Sequence, residues 1–156
     1  MVNILVVEDD IKLNQIVCAQ LEKNGYSVSG CNTPEEAYDV MYKSFYDMII
    51  SDIMLPKTDG FEFLENVRKI NKNIPLLCFG IIDLKYIDIC IENNITITVS
   101  NIDYLNELLK LNLSNLKVHL KLNTGMNRLG FKKQEEVTYA YNALLNSSIN
   151  PLLFLG

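Results

Sequence analysis

Carboxylates follow two short apolar runs in the first third of the chain, and their positions make them candidate functional residues. Glu8 and Asp9 come directly after the run 4–7, and Asp52 comes directly after the run 48–51. If these runs are neighbouring parallel strands, their carboxyl ends share one sheet edge, where open α/β sheets bind ligands. Converging carboxylates repel one another, and Mg²⁺ relieves that repulsion while it keeps several waters. The pattern therefore predicts a magnesium site, and a metal there can also neutralise a phosphoryl group that arrives at a carboxylate nucleophile.

The elements that must position these acids follow a simple rhythm along the whole chain. Short β-rich runs alternate with helical stretches, which is typical of βα units and a parallel sheet. The predicted strands lie at 4–7, 26–30, 48–51, 74–80, 95–99, 118–122 and 152–155. The predicted helices lie at 11–24, 34–44, 61–70, 84–92, 103–111 and 134–145.

Two helix starts are marked by their residue types. Thr33 is a predicted N-cap and Pro34 fits the first turn of the helix that follows it. Asp10 is expected to cap the first helix rather than bind metal directly. We expect the first helix to bury an apolar stripe, with Asn24 and Gly25 ending it. The predicted stripe comprises Leu13, Ile16, Val17, Leu21 and either Ala19 or Gln20.

Composition and net charge argue against several classes of function. The chain has 156 residues, 49% of them hydrophobic and 21% charged, which is enough for a globular core. A net charge of −5 gives no overall attraction to nucleic acid or to anionic membranes. The first apolar run is too short for a signal peptide or a transmembrane helix, so we expect a cytoplasmic protein. The four cysteines form no CxxC pair, and we expect them to be buried or half-buried small hydrophobes.

The segments 4–10 and 47–60 resemble the receiver domain of bacterial two-component response regulators in order, spacing and loop residues. The resemblance implies that Glu8 and Asp9 bind Mg²⁺. It implies that Asp52 is both a metal ligand and the phosphorylated residue, and that Met54 offers its backbone carbonyl to the metal. It also implies a sensor histidine kinase as the partner.

Two positions depart from the receiver pattern. Gly80 stands where receivers usually carry Thr or Ser at the end of strand four. Asn101 stands near the place of the usual lysine at the end of strand five, and Lys57 does not match it. A missing lysine removes a charge-assisted contact to the phosphoryl group. We therefore expect phosphorylation of Asp52 with an impaired conformational switch.

From about residue 75 to residue 150 the sequence resembles an internal piece of the alanine racemase barrel domain, chiefly through the stretch 118–131. The resemblance implies that Lys121 and Arg128 are remnants of cofactor and substrate contacts. The segment with the pyridoxal phosphate lysine and the domain with the catalytic tyrosine are not found here. We therefore expect neither pyridoxal phosphate binding nor racemase activity. We expect His119, between two apolar residues, to be packed or at the surface rather than a ligand.

Taken together, the patterns predict an α/β fold with a flavodoxin-like parallel sheet and an added βαβ extension from about Val118. A partly closed arrangement like a TIM barrel is the alternative. The receiver-like half 1–75 and the racemase-like half 76–156 are expected to pack as one continuous domain. The predicted function is a phosphoacceptor signalling module. The alternatives are an inactive fold chimera, natural or engineered, and a non-catalytic racemase remnant. The final run 152–155 is a candidate edge strand for self-association.

Overall fold

The computed structural model describes residues 1–52, 55, 60–123 and 129–155. The chain forms two compact units, Met1–Gly80 and Ile81–Gly156. Each unit is built of parallel strands that alternate with helices, so the predicted α/β fold of βα repeats is confirmed. Among the residues described, no helix is both long enough and apolar enough to cross a membrane.

The first unit is a four-stranded parallel sheet with three helices. Its strands run side by side in the order β2-β1-β3-β4, with which flavodoxin-like sheets begin. Because the strands are parallel, the carboxyl ends of the central β1 and β3 lie at the same edge. The elements are β1 (Asn3–Val7), α1 (Ile11–Lys23), β2 (Ser27–Cys31), α2 (Pro34–Lys43), β3 (Met48–Ser51), α3 (Gly60–Ile70) and β4 (Leu76–Cys78).

Helix α1 packs against one face of this sheet. The buried side chains of Ile4, Val6 and Ile50 form a cluster that Val17, Cys18 and Leu21 cover, among others. The predicted stripe was wrong in part, because Ile16 is 57% exposed and Ala19 and Gln20 are also exposed. At 3.6 residues per turn, the helix instead turns Asn14 and Cys18 towards the sheet beside Val17 and Leu21.

The predicted helix starts are confirmed by their hydrogen bonds. Asp10 Oδ1 accepts from the backbone N–H groups of Lys12 and Leu13 at 2.9 and 3.1 Å. Thr33 Oγ1 accepts from the N–H of Glu36 at 3.2 Å. Both side chains satisfy N–H groups that have no partner within their helix. These caps set where α1 leaves β1 and where α2 leaves β2.

The second unit has a parallel sheet in the order β5-β6-β7, in which β7 forms an edge. The βαβ extension predicted from about Val118 is confirmed, since β6, α6 and β7 form it. The predicted helix 84–92 begins as a 3-10 turn, Leu84–Tyr86, before α4. The other elements are α4 (Ile87–Glu92), β5 (Ile95–Val99), α5 (Ile102–Lys110), β6 (Lys117–Lys121), α6 (Gln134–Leu145) and β7 (Asn150–Leu155).

The cysteines behave as small hydrophobes, as predicted. None forms a disulfide; Cys31, Cys78 and Cys90 are buried, and Cys18 is half-buried. Burial raises the pKa of the Cys31 thiol to about 11 and that of the Cys90 thiol to about 12. These thiols are therefore protonated at neutral pH, and the thiolate needed for metal binding or nucleophilic chemistry is suppressed.

Candidate metal and phosphoacceptor site

Three carboxylates meet at the carboxyl edge of the first sheet. One oxygen each from Glu8, Asp9 and Asp52 lies within 4.8 Å of the others. The convergence follows from strand pairing, because Val7 is the register partner of Ser51. The N–H of Asp52 donates to Val7 O at 2.9 Å, which extends this pairing by one residue. The structure thus brings together the three acids that the sequence singled out.

The three acids differ in exposure, and this difference shapes their electrostatics. Glu8 is 6% exposed, Asp52 is half-buried and Asp9 is exposed. Burial raises the pKa of Glu8 above its usual value of 4.5. The N–H of Asp10 donates to Glu8 Oε1 at 3.2 Å and opposes that rise, whereas the charges of Asp52 and Asp9 add to it. A cation at this edge would relieve the repulsion that these charges create.

The donor chemistry of this cluster fits Mg²⁺. All three groups are carboxylates, and Mg²⁺ is typically bound in proteins by a few carboxylates together with retained waters. The exposed Asp9 leaves one side of the cluster open to such waters. Glu8, Asp9 and Asp52 are therefore the residues that would hold the ion. Met54, predicted to add a backbone carbonyl, lies outside the described residues, as do Pro56 and Lys57.

Neighbouring groups hold Asp52 in place. Ser51 is buried, and its hydroxyl donates to the carbonyl of Asp52 at 2.7 Å. The N–H of Phe79 donates to Ser51 O at 3.0 Å, so the chain continues from β4 alongside the end of β3. This brings Gly80 beside the Asp52 side chain. A β-carbon at residue 80 would lie 2.8 Å from Asp52 Oδ1.

The residues of the racemase motif lie in the second unit. Lys121 is half-buried at the carboxyl end of β6, and its carbonyl accepts from the N–H of Phe131 at 2.8 Å. Gly130 has φ +115°, and a β-carbon there would come within 3 Å of the backbone of Leu122 and Asn123. The glycine of this motif is therefore required by a close backbone approach. Arg128 lies outside the described residues.

The second unit also contains Asn101 and His119, two residues that the sequence analysis singled out. Asn101 caps α5, where its Oδ1 accepts from the N–H of Tyr104 at 2.8 Å. His119 is half-buried in β6, and burial lowers its pKa below 6.5. Its Nδ1 is buried without a hydrogen-bond partner among the residues that the structure describes. His119 pairs in register with Thr98, on the face of β5 opposite to Ile97.

The second unit has a cleft of about 450 Å³ at the amino ends of its strands β6 and β7. Its lining includes Asn94, Asn115 and Lys117, together with Ser147 and Asn150. Lys117 and Asn150 begin β6 and β7, so the cleft opens at the amino ends of these strands. Parallel sheets bind ligands at the carboxyl ends. The carboxylate cluster, which lies at carboxyl ends, is therefore the better candidate site.

A family model described as "Alanine racemase, N-terminal domain" matches residues 11–154. The chain belongs to this family. The match extends well in front of residue 75, where the resemblance seen in the sequence began. The family match therefore covers every element from α1 to α6 and all of β7 except Leu155.

Comparison with curated proteins shows two kinds of relative. The transcriptional regulatory protein CpxR homolog of Haemophilus influenzae is 35% identical over 77 residues, which is 49% of this chain and 33% of that protein. The alanine racemase of Streptococcus suis is 37% identical over 76 residues, which is 47% of this chain and 21% of that protein. The chain thus spans a third or less of the length of these relatives. Both resemblances predicted from the sequence are confirmed, and a chimeric pattern is consistent with them.

The solved structures that are similar to this chain also include both response regulators and an alanine racemase. The response regulator TrrA of Thermotoga maritima, in complex with Mg²⁺ and BeF, is 29% identical with a TM-score of 0.53. That match covers 71% of this chain and 98% of the regulator. The alanine racemase of E. faecalis has a TM-score of 0.61 at 24% identity, over 76% of this chain and 31% of the racemase. The second match establishes likeness of fold alone.

The sequence reasoning missed two residues beside the carboxylates, Asn14 and Asn32. Both donate a side-chain amide to the backbone carbonyl of Glu8. Asn14 carried a usable signal, because it lies one turn before Cys18 and two turns before Leu21, on the face that α1 buries. A polar residue on a buried helix face needs a hydrogen-bond partner. Asn32 carried no comparable signal, since it lies in the connection before α2.

Proposed function

We propose that this chain is a phosphoacceptor module of a two-component system, in which Asp52 is phosphorylated with the help of Mg²⁺. The observation that carries the proposal is the convergence of Glu8, Asp9 and Asp52 within 4.8 Å at the carboxyl ends of β1 and β3. The receiver relatives support a response-regulator role, and one receiver structure of similar fold contains Mg²⁺ and BeF.

In the proposed chemistry, an oxygen of the Asp52 carboxylate forms a bond to phosphorus while the bond from phosphorus to the leaving group breaks. Glu8 and Asp9, together with Asp52, are the residues that would hold Mg²⁺. When bound, the ion would neutralise negative charge on the phosphoryl oxygens. The hydrogen bonds from Asp52 N–H to Val7 and from Ser51 Oγ to Asp52 O keep the nucleophile at the sheet edge. With acetyl phosphate as donor, the products are acetate and an aspartyl phosphate.

We propose further that the phosphorylated state is read out poorly. Gly80 has no hydroxyl to bind the phosphoryl group, although its backbone lies beside Asp52. Asn101 has no charge, and its side chain is committed to capping α5. A sensor histidine kinase remains the proposed phosphoryl donor, and a cytoplasmic location and self-association through β7 remain predictions.

The test is phosphorylation of the full chain by acetyl phosphate with and without Mg²⁺. We expect phosphate that is released by hydroxylamine, as from an acyl phosphate, in the presence of Mg²⁺ only. The variant Asp52→Asn should take up none. Asp39→Asn is the matched control, because Asp39 is an exposed acid on α2 outside the cluster. If the folded wild type takes up no phosphate with Mg²⁺, the chain is better described as an inactive chimera.

Membership of the alanine racemase N-terminal family favours a second candidate, a pyridoxal phosphate protein or its remnant. This candidate predicts an absorbance band of a protein-bound Schiff base when pyridoxal phosphate is added. We expect no such band. The two assays distinguish the candidates, because Asp52→Asn would leave any Schiff base unchanged.

A further inference from the structure

The backbone carbonyl of Glu8 receives two side-chain amides from different parts of the first unit. Asn32 Nδ2 donates to Glu8 O at 2.8 Å, and Asn14 Nδ2 donates to the same oxygen at 3.3 Å. Asn14 Nδ2 also donates to Cys31 O at 2.8 Å. Asn14 is 5% exposed, so its amide makes these bonds away from competing water.

These amides act where the strand ladder stops. Strand β1 ends at Val7, and the N–H of Glu8 still donates to Cys31 O at 3.1 Å. The carbonyl of Glu8 is bound by the two asparagines instead of by a strand. Because the carbonyl of Glu8 and the N–H of Asp9 belong to one planar peptide, holding that oxygen orients the backbone of both acids.

The fold makes room for Asn14 at a specific place. A β-carbon on Gly30 of β2 would lie 2.3 Å from Asn14 Oδ1 and 2.9 Å from Cys18 Sγ. The thiol of Cys18 donates to Asn14 Oδ1 at 3.3 Å, so both ends of the amide are engaged. Gly30 and Cys18 thus hold one orientation of the Asn14 side chain.

We propose that Asn14 and Asn32 are positioning residues for the metal site, and that Gly30 provides the space that Asn14 needs. They act through the Glu8–Asp9 peptide, which they keep aligned so that both carboxylates face Asp52. The inference rests on the proposed function, since it assumes that the three carboxylates bind a divalent cation. Mutation of residues that hydrogen-bond to metal ligands commonly lowers metal affinity by 10- to 100-fold.

The test uses Mn²⁺, which suits the same oxygen ligands as Mg²⁺ and can be titrated by its magnetic resonance signal. Asn14→Leu, Asn32→Leu and Gly30→Ala should each raise the Kd for Mn²⁺ about tenfold. Gln15→Leu is the matched control, because Gln15 is an exposed neighbour of Asn14 on α1 and should leave the Kd unchanged. Asn32→Leu serves if Asn14→Leu fails to fold, because Asn32 is only half-buried.

A double-mutant cycle separates positioning from loss of folding. In an Asp9→Asn background, Asn32→Leu should raise the Mn²⁺ Kd by clearly less than tenfold, because only Glu8 then remains to be positioned by the shared peptide and effects at coupled sites are not additive. A tenfold loss in that background as well would indicate a general structural effect and overturn the inference. If the wild type binds Mn²⁺ and the three variants bind it equally well, the inference fails while the proposed function stands. If the folded wild type binds no Mn²⁺, the metal site itself is absent and both fail.

Discussion

Gly80 lies so close to the side chain of Asp52 that a β-carbon at residue 80 would stand 2.8 Å from Asp52 Oδ1 and would require the carboxylate to shift. The approach follows from the pairing of β4 with β3, in which Cys78 is the register partner of Ser51. The residue at the usual hydroxyl position of receivers is thus the one whose missing side chain leaves space for the Asp52 carboxylate. The loss of the hydroxyl and the placement of Asp52 are linked.

Gly80→Ala should therefore move the Asp52 carboxylate while leaving the fold intact. The clash involves the end of a side chain, which can rotate, and an off-rotamer side chain costs about 1 kcal/mol. We expect Mn²⁺ binding to weaken about fivefold, as that energy implies. Titration of Mn²⁺ measures the affinity, and urea unfolding measures stability.

Gly25→Ala is a control for that experiment, because it should lower stability without changing Mn²⁺ affinity. Gly25 has φ +88°, and no atom of the described residues beyond its chain neighbours lies within 4 Å of an added β-carbon, so the cost is backbone strain. We expect this variant to lose about 1 kcal/mol of stability with unchanged Mn²⁺ affinity. An unchanged affinity in Gly80→Ala as well would contradict the link between residue 80 and Asp52.

Replacing Asn101 by the lysine typical of receivers should destabilise this chain. The side chain of Asn101 accepts from the N–H of Tyr104 as the N-cap of α5, and lysine has no acceptor to replace it. We expect Asn101→Lys to lower the free energy of unfolding by about 1 kcal/mol. Asn101→Asp keeps a capping oxygen and should stay within a few tenths of the wild type. Equal stability of the lysine variant would show that the cap contributes little.

Mg²⁺ should change the order of stability between the wild type and Asp52→Asn. With a chelator present, removing one of three converging charges relieves repulsion of about 1 kcal/mol, so the variant is the more stable protein. With Mg²⁺ at one hundred times its Kd, the wild type gains about 2.7 kcal/mol and overtakes the variant. Urea unfolding in the two buffers measures both. A wild type that Mg²⁺ does not stabilise would count against the metal site.

His119 should make stability fall as the solution is acidified. Its pKa is about 6.5 when unfolded and lower in the folded protein, because burial disfavours the charged imidazolium. Between these two values the unfolded state binds more protons, so stability rises with pH across that window. The stability is fully present above pH 6.5 and is lost as the pH falls through the folded pKa. His119→Gln should remove this part of the pH dependence.

Nuclear magnetic resonance can measure this pKa directly, because His119 is the single histidine of the chain. Urea unfolding of wild type and His119→Gln at several pH values then gives the difference in stability. A measured pKa at or above 6.5 would mean that the side chain is more hydrated than its burial in β6 indicates.

Local features of the sequence determined the helices and strands of this protein. Thr33 and Asp10 cap their helices as their types predict, and β3, β5 and α6 have the bounds that periodicity indicated. These signals are local, because caps act within one turn and side-chain periodicity acts within one element. The carboxylates at the strand ends were visible for the same reason.

Tertiary structure alone decided which groups surround the predicted acids. The structure brings Gly80 to Asp52 and Gly30 to Asn14. The sequence marks Gly80 only as a departure from the receiver pattern, and it gives Gly30 no special signal. The meaning of each glycine depends on the absence of a β-carbon at a contact between separate elements, and no local propensity reports such a contact. The acids were therefore predictable from the sequence, whereas the groups that position them were not.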